Sequence, residues 1–199
     1  WQKADVFNPA AIVKDNKVYI LFRAEDLPGV GIGMRTSRIG LAESEDGIHF
    51  AKMKNPVLYP DSSEFMKYDY PGGCEDPRIV ENEDGTYVLL YTSWHRDVAR
   101  LSVATSSDLI HWKKQGPAFA KAYNGKFLNV WSKSGSVVTK LVNDKIVAVK
   151  VNDKYWMYWG ENPMYTASSD HVIDWRPVGT QKPDLCAVVQ PGMKLVASH

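Results

Sequence analysis

Glu43-Ser44-Glu45-Asp46-Gly47-Ile48-His49-Phe50, Thr105-Ser106-Ser107-Asp108-Leu109-Ile110-His111-Trp112 and Ala167-Ser168-Ser169-Asp170-His171-Val172-Ile173-Asp174-Trp175 are three versions of one phrase, and their closing aromatics lie 62 and 63 residues apart. Each follows a short run that reads as a strand: Ile39 to Ala42, Leu101 to Thr105 and Met164 to Ser168. The Ser-Asp pair signals a turn, because both side chains can hydrogen-bond the backbone that follows them. Further out, the runs from Lys17 to Arg23, Thr86 to Tyr91 and Lys154 to Trp159 are rich in aromatic and β-branched residues, and their leading tyrosines, Tyr19, Tyr87 and Tyr155, are 68 apart. Upstream again, Asn8-Pro9-Ala10-Ala11-Ile12-Val13 and Asp76-Pro77-Arg78-Ile79-Val80 place two prolines 68 apart, and the matching strand of the third unit is expected at Ile146 to Val151. A unit of about 65 residues with some four short strands and no helical period is the signature of a β-propeller blade. The expected fold is therefore all-β, with residues 1–199 forming one propeller domain. Three units do not close a ring, so further polypeptide, or a partner, is expected to complete it, and Gly179 to Gln190 reads as a connection between blades.

Composition narrows the function. The chain has 199 residues, 44% hydrophobic and 12% aromatic, enough for a packed core. A net charge of +1, with both signs evenly spread, offers no field for a polyanion, so no nucleic-acid partner is expected. No apolar run reaches the roughly eighteen residues of a membrane span. Cys74 and Cys186 are too few for a metal cluster and are expected as free thiols. Gly29, Gly31 and Gly33 alternate in a loop without joining a strand to a helix, so they make no dinucleotide fingerprint.

Chemistry concentrates in Gly72-Gly73-Cys74-Glu75-Asp76-Pro77-Arg78, which sets two carboxylates and a guanidinium at the mouth of a strand. In a propeller the inner strands start near the axis on one face. Asn8, Glu75, Asp76 and Arg78 are then expected around a common funnel, joined by Arg23 and Glu25 from the following strand. Whether Glu75 faces that funnel or alternates away is left open by the pattern. Carboxylates, an amide and guanidiniums suit a neutral polyhydroxylated ligand, with Trp94, Trp131 or Trp159 offering aromatic faces to sugar C–H surfaces.

Phe7-Asn8-Pro9-Ala10, Phe22-Arg23-Ala24-Glu25-Asp26, Ser37-Arg38-Ile39-Gly40-Leu41-Ala42, Gly73-Cys74-Glu75-Asp76-Pro77-Arg78 and the Ser-Asp-Leu-x-x-Trp phrase, in this order, resemble glycoside hydrolase family 130. The resemblance runs through essentially the whole chain. It implies a five-bladed β-propeller, of which about three blades are present, acting with inversion on β-mannosides. It also implies that Asp76 is the general acid, protonating the leaving oxygen directly or through a sugar hydroxyl, and that Asn8, Arg23 and Arg78 hold the mannosyl ring. An inverting glycosidase needs a nucleophile on the opposite face, its two carboxyl groups being about 6.5–9.5 Å apart.

Phosphorylases of the family resemble one another in a basic cluster that clamps phosphate. Here the corresponding stretch is Met157-Tyr158-Trp159-Gly160-Glu161-Asn162, with a carboxylate where phosphate needs cations. Glu161 can orient and deprotonate water, which favours hydrolysis. Lys133, Lys150, His95 and Arg96 keep phosphorolysis open, with inorganic phosphate as co-substrate; no other cofactor is expected. The remaining alternatives are a non-catalytic carbohydrate-binding propeller and a furanosidase, although the latter normally has Asp where this chain has Asn8. An oligosaccharide is the expected partner, a homo-oligomer is left open, and the compartment follows the reaction: periplasm or cell surface for a hydrolase, cytoplasm for a phosphorylase.

His95 and Arg96 sit on a loop leaving the second unit, where they can meet substrate. His49 and His111 are read as parts of the outer turns, and Phe50, Trp112 and Trp175 as core between units. Lys52, Lys54, Lys113 and Lys114 are read as solvated strand ends.

Overall fold

The computed structural model describes residues 1–178 and the backbone of 196–197, so Cys186 and the expected connection 179–190 lie outside the described residues. The described chain is nearly all β, with a single helical turn, α1 (Met66–Asp69). The first unit is an antiparallel meander of β1 (Val6–Lys14), β2 (Lys17–Glu25), β3 (Ser37–Ser44) and β4 (Ala51–Lys52). The second repeats it with β5 (Gly73–Glu81), β6 (Tyr87–Trp94), β7 (Ala99–Ser106) and β8 (Lys113–Pro117). The third contains β9 (Ser136–Val142), β10 (Lys145–Ala148), β11 (Lys150–Val151), β12 (Lys154–Trp159), β13 (Tyr165–Ser169) and β14 (Arg176–Val178), and β15 (Val196–Ala197) pairs with β9. Among the described residues no helix is long and apolar enough to cross a membrane.

The repeated phrase builds the turns as its residue types dictate. The Asp46 carboxylate accepts the N–H groups of Ile48 and His49 at 2.9 and 2.8 Å, and Ser44 Oγ accepts that of Gly47 at 2.9 Å. Asp108 and Ser106 do the same for Ile110, His111 and Leu109. His49 and His111 each complete the turn with a ring nitrogen 2.7 Å from the aspartate, their imidazoles otherwise exposed. The closing indoles are locked as well: Trp112 Nε1 donates to Leu109 O and Trp175 Nε1 to Val172 O, at 2.8 and 3.0 Å. Trp175 is fully buried, while Trp112 and Phe50 pack partly buried against the core.

The units pack face to face. Leu21, Ile39 and Leu41 of the first meet Ile79, Leu89 and Tyr91 of the second, and Leu90, Leu101 and Val103 of the second meet Met157, Trp159 and Trp175 of the third. These are the faces that alternate along each strand, which is why the runs are apolar on both sides. Backbones also approach closely where the first two units join. Ser37 and Gly73 form a parallel bridge, the Ser37 N–H donates to Gly72 O at 2.8 Å, and Gly73 has φ +117°. A Cβ there would overlap the Ser37 backbone, so only glycine fits. β1 of the first unit also reaches β10 of the third.

Three expectations need correction. First, Tyr19 and Tyr87 are equally spaced but not equivalent. Ala10 pairs with Leu21, whereas Arg78 pairs with Leu90, because β1 and β2 close through a tight Asp15-Asn16 turn and β5 and β6 through the longer 82–86 turn. The one-residue slip turns the two rings to opposite faces of their sheets, and both enter the seam between the first and second units. Second, the inner strand of the third unit is not a continuous run from Ile146 to Val151. Ser136 and Val137 pair with Tyr158 and Met157, the chain then leaves in the β9–β10 hairpin, and Lys150 and Val151 return to pair with Tyr155 and Lys154. Third, Lys114 is no solvated strand end, unlike the exposed Lys52, Lys54 and Lys113. It is buried, with Nζ 2.7 Å from Asp69 Oδ2, 2.7 Å from Tyr59 O and 3.3 Å from Asp61 Oδ1. Burying the charge is tolerable only with such partners.

Candidate functional site

The site forms where the inner strands begin. In β1 and β5 the antiparallel register breaks between Phe7 and Ala10 and between Glu75 and Arg78, so each strand bulges at its Asx-Pro pair. Asn8 and Asp76 there have left-handed backbones, φ 48° and 50°. The bulges aim the two side chains at each other, and Asn8 Nδ2 donates to Asp76 Oδ1 at 2.6 Å.

Arg23 organises the rest. Its Nη1 donates to Asp76 Oδ1 at 3.1 Å, Nη2 to Glu75 Oε1 at 2.9 Å and to Glu25 Oε1 at 2.6 Å, and Nε to Ser37 Oγ at 3.1 Å. The Phe7 ring lies 4.7 Å from the guanidinium carbon. Glu75 therefore faces the cluster, which answers the question its position left open. Cys74 points the other way, a buried free thiol 3.7 Å from Asp69 Oδ2. Glu25 has no exposed surface. It reaches the funnel only through others, as Arg35 Nη1 donates to its Oε2 at 3.0 Å and also bonds Asp5. The network thus holds four carboxylates, Asp5, Glu25, Glu75 and Asp76, against two guanidiniums, Arg23 and Arg35. This excess acts on Glu75, whose carboxyl is pushed up to about 7 chiefly by burial, with Arg23 opposing and Asp76 and Glu25 adding to the rise.

Asp76, Asn8, Pro9, Pro77 and Arg78 line one concavity of about 360 Å³ together with Ser134 and Glu161 of the third unit. Glu161 is largely exposed and lies 3.0 Å from Lys133 Nζ. Sequence reading thus brings together Asn8, Arg23, Glu75, Asp76, Arg78 and Glu161. It does so less well elsewhere. Trp159 is buried, its ring packed against Phe119 and Tyr165 at centroid distances of 4.8 and 4.9 Å, so its faces are taken by protein. The exposed indole at this end is Trp131, set edge-on to Trp94. His95 and Arg96 lie beside the loop following β2, where Arg96 Nη2 donates to Met34 O at 2.6 Å. Lys150 sits over Tyr155, at the opposite end of the inner strand from the concavity, and so cannot join an anion site there.

Sequence reading missed Ser37, Arg35, Asp5 and Ser134. The first three buttress the cluster, Ser37 from the start of β3 and Asp5 and Arg35 from the polar stretches just before β1 and β3. Ser134 takes the equivalent place in the third unit, since Ser136 pairs with Tyr158 as Arg78 pairs with Leu90, which sets Ser134-Gly135 in the place of Asp76-Pro77.

Comparison with known proteins matches this architecture. Residues 2–193 fit the model of glycoside hydrolase family 130, described as beta-1,4-mannooligosaccharide phosphorylase. A 1,2-beta-oligomannan phosphorylase of Thermoanaerobacter sp. (strain X514) is 32% identical over 180 residues, 88% of this chain and 53% of that protein. A glycosyl hydrolase structure from Bacteroides ovatus is 50% identical, with a TM-score of 0.87 over 99% of this chain and 52% of that one. A structure from the GH130 family, whose mannoside phosphorylases include glycoside hydrolases that target beta-1,2 mannosidic linkages in Candida mannan, is 49% identical, with a TM-score of 0.87 over 99% of this chain and 52% of that one. The chain spans about half the length of the relatives it matches. With the family model covering nearly all of its residues and these relatives alongside, the chain belongs to glycoside hydrolase family 130.

Proposed function

We propose that the protein cleaves β-linked mannosides with inversion, using water as the nucleophile, on a propeller that totals five blades in the complete protein. The observation that carries this reading is the meeting of Asn8 and Asp76, the latter held by Arg23, with Glu161 around one small concavity. Asp76 is the general acid. Asn8 and Arg23 both donate to its Oδ1, so its proton belongs on Oδ2, from which it passes to the glycosidic oxygen as the C1–O bond breaks. Asn8, Arg23 and Arg78 hold the mannosyl ring, while Glu75 and Glu25 keep Arg23 in place. From the opposite face Glu161 takes a proton from water as its oxygen bonds to C1, and α-mannose is the first product.

The pairing of Lys133 with Glu161 supports water over phosphate, because this lysine is already matched by a carboxylate. Phosphorolysis is the second reading, favoured by the 1,2-beta-oligomannan phosphorylase among the relatives. One assay separates them. The complete protein is incubated with β-1,2-mannobiose, with and without inorganic phosphate, and the products are followed by NMR. Free α-mannose in both samples supports hydrolysis, mannose 1-phosphate formed only with phosphate supports the second reading, and no cleavage in either refutes both.

A further inference from the structure

Asn8, Asp76 and Ser134 occupy matching places at the starts of three inner strands, and all three have left-handed backbones, at φ 48°, 50° and 56°. The first two side chains are bonded to each other and face the concavity that Ser134 also lines. Such a conformation is unfavourable for a non-glycine residue and persists where the surroundings impose it.

Here they do. Gly160 N–H donates to Lys133 O at 2.8 Å, just before Ser134, and the next residue, Gly135, lies so close under Leu101 that a Cβ would stand 2.6 Å from Leu101 Cδ2. Ser132 is fastened too, its N–H donating to Ala99 O at 2.9 Å and its Oγ accepting from Leu101 N–H at 3.1 Å. The chain on both sides of Ser134 is thus pinned to the second and third units. Glycine would suit the dihedral better, yet the position keeps a hydroxyl, a group that both donates and accepts, as sugar hydroxyls require.

We infer that Ser134 is a further sugar-binding residue of this site, its hydroxyl bonding a ring hydroxyl of the mannosyl unit from the side opposite Asn8 and Asp76. The inference rests on the proposed action on β-mannosides. Three neighbouring units then each contribute one polar group from the same structural position to a single ring, and Ser134 stands beside Glu161, on the side from which water arrives.

The test compares Ser134→Ala with Ser134→Gly in the complete protein, using β-1,2-mannobiose as substrate and the nucleophile found active for the wild type. Both variants lack the hydroxyl, but only glycine relieves the backbone. A KM raised about tenfold in both, with kcat within about threefold of wild type, is the result expected for one lost hydrogen bond to substrate. A wild-type KM in Ser134→Gly overturns the assignment, because the residue then matters for its backbone alone. Should Ser134→Ala fail to fold, the glycine variant still decides. Absence of cleavage by the wild type with either nucleophile refutes the underlying reading and this inference with it, whereas cleavage by the wild type with an unchanged KM in Ser134→Gly refutes this inference alone.

Discussion

Asn8 and Asp76, 68 residues apart in the chain, are joined by a hydrogen bond of 2.6 Å between two bulged strands of different units. The amide fixes the aspartate on one oxygen without neutralising it, as a second acidic side chain could not. Replacing Asp76 by Asn should leave the fold intact, since the group is isosteric and partly exposed, while kcat falls by at least about a thousandfold through loss of the transferable proton. Turnover of β-1,2-mannobiose and the melting temperature, measured together, check this. A variant that keeps more than a tenth of wild-type kcat contradicts the assignment.

Arg23 is 5% exposed and serves three carboxylates at once. Arg23→Met leaves buried anions uncompensated and should cost about 3–5 kcal/mol in urea unfolding. Arg23→Lys should recover only part of this, because one ammonium cannot reproduce the fork of donors that reaches Ser37, Glu25, Glu75 and Asp76 together. Full stability in the lysine variant would show that the geometry of the fork is immaterial.

Glu75 gives the site a pH signature. Its carboxyl is raised from 4.5 to about 7 in the folded protein. Between these values the folded state binds more protons than the unfolded one, so this group's contribution is fully present below about pH 4.5 and is lost as pH rises through 7. Urea unfolding should therefore show wild type losing on the order of 2–3 kcal/mol relative to Glu75→Gln between those limits. Parallel pH dependence in the two proteins would contradict it.

Lys114 and Asp69 form a buried pair at 2.7 Å, both side chains nearly inaccessible. Lys114→Met should destabilise the protein by about 3–5 kcal/mol by stranding Asp69, while Lys113→Met, one residue earlier on the exposed face, should change stability by less than about 0.5 kcal/mol. Equal effects in chemical denaturation would mean that burial of the pair is not what matters.

Gly73 carries the contact between the first two units. Gly73→Ala forces a Cβ into the Ser37 backbone at an unfavourable φ and should cost about 3 kcal/mol or more in thermal or urea unfolding. Because Ser37 also holds Glu25 and Glu75, the same change should lower activity even in the fraction that remains folded.

What could be read in the sequence followed from local rules. The Ser-Asp turns, the alternating strands and the Asn-Pro and Asp-Pro pairs encode their own geometry, so the all-β repeat and the convergence of Asn8, Arg23 and Asp76 could be anticipated. Failures came wherever distance along the chain stopped tracking position in space. A longer turn after β5 shifted Tyr87 out of step with Tyr19, and the β9–β10 hairpin displaced the inner strand of the third unit and hid Ser134. Lys114 looked like any strand-end lysine, because its partner comes from α1, 45 residues earlier. Trp159 looked like a stacking platform because composition does not reveal which face of a strand the neighbouring unit covers.

The hairpin within the third inner strand has a practical meaning. Val149 N–H donates to Val138 O at 3.2 Å across its base, so the strand on either side is aligned whatever the excursion contains. Its tip, Asn143-Asp144, lies beyond the Glu81 end of β5, at the pole opposite Gly73 and the acid. That tip is a natural splice point: a fluorophore, an affinity tag or a second binding module could be grafted there and report on or anchor the protein without touching the chemistry.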